Sequence, residues 1–454
     1  MKHLFYLLII ITIKPLFAQE NNEYSPCISE EEYKIIASEC SKNISKFKLG
    51  TPTKGSKPSF IWPIQASNKL HDCSFYYVSA YVDQNKTTGQ IQDYNCGTNT
   101  YDGHTGTDIS TWPFNFYKLD NDLVEVIAAA DGVIVAKHDG EFDKNCGATN
   151  VSANYLVIRH ADLSVSYYWH MKKNSVTSKQ IGDAVVAGEK IGIVGSSGNA
   201  SGPHLHFEVK TDFSNASSYI DPFTGTCNSL SATTWWQNQK NYVETSVVRA
   251  SVHSTDAVFP ACPATETLNE MSDFTTPYQG AGLAPGYAKF YMFLRNEVNG
   301  LTANLKILNP DNSVFTEWTY TSTADSKTKT FGYSKKIPTT AGVYTFIITY
   351  NNTTCSSIFS IDGAGNTPAN IQELEKDYVV VFPNPSNGKF TFQMDEPQNK
   401  RIEIYTLLGE KILENEIVNS KIEIDLSNSK GVFLYKIINT SNEGLVYTGK
   451  LMNK

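Results

Sequence analysis

Gly195-Ser-Ser-Gly-Asn-Ala-Ser-Gly-Pro-His-Leu-His-Phe-Glu208 is the stretch on which the reading of this chain turns. In an extended strand successive side chains alternate faces, so His204 and His206 point to one side and Leu205 to the other. With Leu205 packed into a sheet, both imidazoles face an open cleft. Imidazole and carboxylate are good zinc ligands, and three protein ligands plus a water make a catalytic site. The glycines before the histidines permit a tight turn against such a cleft.

Further motifs lie upstream. Gly103-His-Thr-Gly-Thr-Asp108 contains an HxxxD pair, and Tyr167-Tyr-Trp-His170 supplies another histidine. Val124 to Ala130, the turn Asp131-Gly132 and Val133 to Ala136 read as a hairpin. Tyr155 to His160 and Ser164 to His170 read as two strands around a short turn at Ala161 to Leu163. Alternating strands with tight turns and few helices predict an antiparallel sheet. Each motif alone is common; several in a fixed order are not.

In that order they resemble the lysostaphin-type (β-lytic) zinc metallopeptidases, over roughly 60–245. The likeness rests on HxGxD at His104 to Asp108, V-x-A-x-x-x-G-V at Val126 to Val133, Y-x-H at Tyr168 to His170, and the glycine-rich run ending in HLHFE. It implies one zinc ion per chain held by His104, Asp108 and His206, with His170 and His204 as catalytic histidines that are not ligands. His204 is favoured as base and His170 as partner of the oxyanion, but the sequence does not separate these roles. The activity implied is zinc-dependent hydrolysis of peptide bonds, in peptidoglycan cross-bridges by first choice. Two other readings stay open: an extracellular protease on glycine-rich or other proteins, and a non-catalytic peptidoglycan-binding surface protein.

The remaining polar and aromatic residues carry weaker expectations. His160 is expected to be structural or to orient a ligand, and His71, His138 and His253 to face solvent. Glu208 either orients His206 or ends the strand in water. Tyr101, Tyr168 and Trp169 fit a core or a peptide groove. The insert Ile109 to Leu123, with Trp112, Phe114, Phe116 and Tyr117, is expected to shape the substrate cleft.

The flanks supply the compartment. Lys2, the apolar run Leu4 to Ile13 and Leu16-Phe-Ala18 read as a signal peptide over 1–18. A helical segment and linker follow at 19–58, with Ser29 as helix cap and Glu30 to Glu32 in the first turn. The metallopeptidase domain is assigned to 59–247, an immunoglobulin-like β-sandwich to 255–364, a linker to 365–376 and a last β-rich unit to 377–454. That last unit contains Phe382-Pro-Asn-Pro, Ile402-Glu-Ile-Tyr and Gly431-Val-Phe-Leu-Tyr-Lys-Ile437. These resemble the C-terminal sorting domain of the type IX secretion system. The resemblance implies Sec export, outer-membrane passage by the type IX machinery, and a secreted or surface-held product of a Gram-negative bacterium. The expected fold class is therefore mainly β: an antiparallel β-sheet metallopeptidase domain plus two C-terminal β-sandwich domains.

A formal charge of −8 over 454 residues shows no basic excess, so nucleic acid is not an expected partner. No later run is apolar and long enough to span a bilayer, so no transmembrane segment is expected in the mature chain. All eight cysteines follow the signal and none forms a CxxC pair, which favours disulfides in an oxidising compartment. Nearest-neighbour pairing would join Cys27 to Cys40, Cys73 to Cys96, Cys146 to Cys227 and Cys262 to Cys355. Residues 19–55 are a candidate inhibitory propeptide, one without a zinc-directed thiol if Cys27 and Cys40 are paired.

Overall fold

A computed structural model describes residues 27–49, 55–147, 151–363, 379–382, 384, 386–394, 399–406, 410–440 and 445–453. The signal-peptide reading at 1–18 and the linker reading at 365–376 lie outside the described residues. Helix α1 (Glu30–Lys46) begins at the cap expected of it. The Ser29 hydroxyl accepts from the Glu32 amide, and the Glu32 carboxylate accepts from the Ser29 amide at 2.9 Å. Two otherwise unpaired donors of the first turn are thereby satisfied.

The central unit runs through β1 (Ile64–Ala66), β2 (Tyr76–Ala80), β3 (Thr107–Thr111), helix α2 (Asn115–Asp120), β4 (Val124–Ile127), β5 (Gly132–His138) and β6 (Tyr155–Arg159). It continues with β7 (Val165–Trp169), β8 (Ala184–Val185), β9 (Lys190–Ile193), β10 (His204–Lys210) and β11 (Tyr219–Ile220). The main antiparallel sheet has the order β2-β3-β10-β7-β6-β5-β8, with β11 added to β10; β1-β4-β9 form a smaller sheet.

Alternation along β10 sorts its side chains. Leu205, Phe207 and Val209 enter a core with Ile109, Ile134, Leu156, Ile158 and Tyr168. The opposite face, with Val157, Val165, Tyr167 and Trp169, is packed by Ile28, Ile36 and Cys40 of the N-terminal segment. Because His204 and His206 share parity opposite to Leu205, the face bearing the histidines is the face that α1 covers.

The hairpin expected at Asp131-Gly132 does not form. β4 pairs with β1 and β9, whereas β5 pairs with β6 and β8. Both edges of β4 are occupied, and the chain changes sheets through Ala128-Ala129-Ala130, whose small side chains fit the interior at 0–5% exposure. The β6–β7 pair does form, with Leu156 opposite Tyr168.

Two further units each enclose a core between two sheets. The first comprises β12 (Ser246–His253), β13 (Asp273–Phe274), β14 (Tyr287–Glu297), β15 (Thr302–Leu308), β16 (Val314–Thr321), β17 (Ser326–Lys336), β18 (Gly342–Tyr350) and β19 (Thr353–Ile361). Its sheets, β12-β14-β17 and β13-β19-β18-β15-β16, bury Phe290, Met292, Leu305, Phe346 and Phe359. The second comprises β20 (Val379–Phe382), β21 (Lys389–Met394), β22 (Lys400–Thr406), β23 (Lys411–Ile417), β24 (Lys421–Asp425), β25 (Gly431–Asn439) and β26 (Leu445–Asn453). Its sheets, β20-β21-β24 and β23-β22-β25-β26, bury Phe390, Phe392, Ile402, Ile404 and Ile437. Among the described residues no helix is long and apolar enough to cross a membrane.

None of the four expected disulfides is present. The bonds are Cys73–Cys355, Cys96–Cys227 and Cys146–Cys262, and Cys27 and Cys40 are buried free thiols. Pairing needs Cα atoms about 4.4–6.8 Å apart, which folding and not chain order supplies. Cys73 meets Cys355 at a Cα separation of 5.8 Å across 282 residues of sequence.

Two of the three bonds cross from the central unit to the neighbouring sandwich, and the aromatic insert lies at that same junction. Phe114 packs with Val248, Tyr291 and Phe293, flanked by Trp112 and Tyr117. Asp72 is buried there between Lys118, at 2.7 Å, and Arg249. The aromatics of the insert expected to shape a cleft thus build an inter-unit contact, having an apolar partner surface to bury against, while its Ser110 stands opposite His204.

His253, expected in solvent, is fully buried. Its Nδ1 bonds the Leu268 carbonyl and its Nε2 lies 2.6 Å from the Ser251 hydroxyl, a neutral ring used at both nitrogens. Burial lowers its pKa to about 4, so as pH falls the unfolded chain takes the proton first. The stability this group contributes is present above pH 6.5 and is lost toward pH 4, on the order of 3 kcal/mol in all. Urea melts at about pH 7 and about pH 4 should show a smaller loss for His253→Asn than for the parent chain. Equal losses would remove His253 as the cause.

Candidate active site

Three strands place the expected residues side by side. Asp108 in β3 and Trp169 in β7 both stand opposite His206 in β10. His104 precedes β3, and His170 follows β7. His170 has φ of 68°, in the left-handed region, which turns its ring out of the strand end. Such backbone in a bulky residue is uncommon and persists where surrounding structure holds it. Gly106 is required by close approach: a Cβ there would lie 2.7 Å from His206 Cε1 and Nε2.

The donor atoms converge. His104 Nε2 is 3.2 Å from His206 Nδ1 and 3.1 Å from Asp108 Oδ1, and His206 Nδ1 is 2.8 Å from Asp108 Oδ1. Donors around a tetrahedral ion with bonds near 2.0–2.2 Å stand roughly 3.3–3.6 Å apart, so modest separation would admit the ion. The other ring nitrogens are anchored. His104 Nδ1 meets the Tyr81 carbonyl at 2.7 Å, and His206 Nε2 meets Glu208 Oε2 at 3.3 Å. Anchoring of this kind fixes tautomer and ring orientation in metal-binding histidines.

His170 and His204 stand beside this triad with ring centroids 4.5 Å apart. Their Nδ1 atoms face the carbonyls of Ser197, at 2.6 Å, and Gly202, at 2.8 Å. His204 Nε2 lies 3.8 Å from Asp108 Oδ1, and His170 Nε2 is buried with no hydrogen-bond partner. Such an orphaned atom fits a site that accepts a further group.

The triad's charges are mutually supporting. Burial opposes a proton on His104, yet Asp108 raises its pKa to about 9. Burial likewise opposes the Asp108 charge, and His104 and His204 hold it well below the usual carboxylate value. Burial and then His204 push His170 down, toward the neutral ring.

The cleft is not open. His206 is fully buried and His204 is 7% exposed. Cys27 Sγ lies within 4.8 Å of the donors of His104, Asp108 and His206, and within the same distance of the donors of His170 and His204. Glu208, which could have ended in solvent, is also fully buried. It accepts from Tyr33 at 2.6 Å and from Thr105 at 2.9 Å, besides His206. His160 is structural, bonded to the Asp131 carbonyl and the Ser166 hydroxyl at 2.8 Å each. Tyr168 and Trp169 are core, whereas Tyr101 stacks on His104 at 4.2 Å. Parity with His206 points to Glu208 from sequence alone; no spacing points to Cys27.

Residues 103–222 match Peptidase family M23, and this segment carries all five histidine and aspartate positions. Residues 103–222 are a family M23 peptidase domain. The M23 domain is followed at 380–452 by a secretion system C-terminal sorting domain. Over 108 residues the chain is 34% identical to the peptidoglycan DD-endopeptidase ShyB of Vibrio cholerae, covering 23% of this chain and 20% of the relative. Another 84-residue match, 37% identical, is to an uncharacterized metalloprotease of Buchnera aphidicola, covering 18% and 19%. The chain therefore spans about a fifth of the length of these curated relatives. Among solved structures, the catalytic domain of the antimicrobial peptidase lysostaphin from Staphylococcus simulans aligns at 22% identity. That alignment covers 32% of this chain and 85% of that one, with a TM-score of 0.21.

Proposed function

We propose that the protein is a secreted zinc endopeptidase that cleaves peptide bonds in peptidoglycan, with His104, Asp108 and His206 as ligands and His170 and His204 as catalytic residues. The observation that carries this reading is the buried triad of donors 2.8–3.2 Å apart with two further imidazoles against it. Two imidazoles and a carboxylate suit zinc, and three protein donors leave a position for chemistry. Bound zinc supplies Lewis acidity toward a carbonyl and acidifies a water.

The chain's own groups divide the remaining work. His204 donates from Nδ1 to Gly202, so in the neutral ring Nε2 keeps its lone pair and can take a proton from the attacking water. His170, fixed from Nδ1 by Ser197, aims Nε2 into the same space. It stabilises the developing oxyanion once that nitrogen also carries a proton, the neutral ring having only a lone pair there. Asp108 balances the charge that accumulates on the imidazoles. The sorting domain directs export, and the cell surface or surroundings of a Gram-negative bacterium are the proposed location.

The test is mass analysis of fragments released from purified peptidoglycan by zinc-loaded Cys27→Ser chain, used because Sγ lies among the donors. New amino termini, abolished by chelator and restored by zinc, are expected. Cleavage of glycine-rich peptide with an untouched wall would move the substrate to proteins. A folded chain that binds no zinc would sink the enzyme reading.

A further inference from the structure

The N-terminal segment is fastened to the face that carries the triad. Besides the apolar contacts of Ile28, Ile36 and Cys40, Asn43 donates to the Val135 carbonyl at 2.8 Å and Tyr155 donates to Glu39 at 3.2 Å. Arg159 donates to the Leu49 carbonyl at 3.1 Å. Tyr33 reaches deepest. Its hydroxyl bonds Glu208, the carboxylate that holds His206, and its ring lies 3.2 Å from Lys210 Nζ. Three residues before the helix, Cys27 is buried, unpaired and 2.9 Å from the Tyr101 hydroxyl. Its sulfur faces both the ligand triad and the histidine pair.

We infer that Cys27 is the fourth metal ligand of a latent form, its sulfur occupying the position substrate chemistry needs, with 27–49 as a clamp that must leave before turnover. This inference rests on the zinc reading of the triad. A fourth protein donor converts an open catalytic site into a closed, structural one, and thiolate is among the strongest zinc donors. On binding, the S–H bond breaks and the proton passes to solvent; on release the thiolate regains a proton. The clamp is reversible because no disulfide holds it, the described residues having their three bonds elsewhere. Its withdrawal also removes Tyr33 from Glu208, leaving that carboxylate to His206, Thr105 and Lys210.

Cobalt(II) substituted into the full chain reads the sulfur directly through thiolate-to-cobalt charge-transfer absorption. The band is expected in the parent chain and absent in Cys27→Ser at equal cobalt content. In a Cys40→Ala background, alkylation of Cys27 by iodoacetamide is expected to slow on the order of tenfold when metal is bound. Cys27→Ser should also hydrolyse substrate faster than the parent chain. A cobalt-loaded parent without the band, or alkylation indifferent to metal, overturns the inference while leaving the triad in place. Metal bound by neither chain overturns the zinc reading along with it.

Discussion

His206→Ala is expected to leave the chain without its zinc and without measurable hydrolysis of peptidoglycan. His206 Nδ1 stands 2.8 Å from Asp108 Oδ1 and 3.2 Å from His104 Nε2, so it is one of three converging donors. Loss of a partner that merely orients a ligand costs roughly 10–100-fold in affinity, and loss of the ligand itself should exceed that. The change also opens space in a fully buried position and takes from Glu208 one of its hydrogen bonds. The β10 backbone and the core contacts of Leu205 and Phe207 remain, so the fold should persist at reduced stability. Metal content after dialysis, beside a thermal melt, checks both statements. One zinc per folded variant chain would strike His206 from the ligand set.

His204→Ala should behave differently, keeping zinc while kcat falls by about 10²–10⁴-fold, the usual worth of a positioned proton acceptor. Its Nε2 is 3.8 Å from Asp108 Oδ1, beside the triad and outside it. Its Nδ1 is tied to Gly202, which sets the free nitrogen toward the donors. Measured in the Cys27→Ser background, KM should change far less than kcat, because the ring serves the transition state more than substrate binding. Parent-like kcat would remove His204 from the mechanism and pass its role to His170. Loss of zinc would instead make it a ligand.

The candidate site residues were legible through ordered motifs that resemble a known family, with local chain geometry supporting part of the set. His204 and His206 share a face through two-residue alternation, and Gly106 marks where a backbone must pass a ring. Their order along the chain supplied the family resemblance over the M23 segment. Other readings failed where a local signal was outvoted by a distant surface. Asp131-Gly132 carries a turn signal, yet β4 finds β1 and β9 as neighbours. The aromatics of 109–123 suit a groove as well as an interface, and only Tyr291 and Phe293 decide between them. His253 sits in a polar-looking stretch but is enclosed by Ser251, Leu268 and the Tyr291 ring.

By itself the sequence determined the mainly β class, the exported and disulfide-containing character, and the five side chains that meet in the site. The β class and the disulfides depend on composition, on parity or on spacings of a few residues, whereas the five side chains and the export route came through ordered motifs that resemble known families. Tertiary structure decided which cysteines pair, which surface the aromatic insert covers, and that Cys27 and Tyr33 close the site. Those depend on contacts across 72 to 282 residues of chain, between Tyr33 and Thr105 at one end and Cys73 and Cys355 at the other. Proximity over such separations is set by packing of whole sheets, and no local period encodes it.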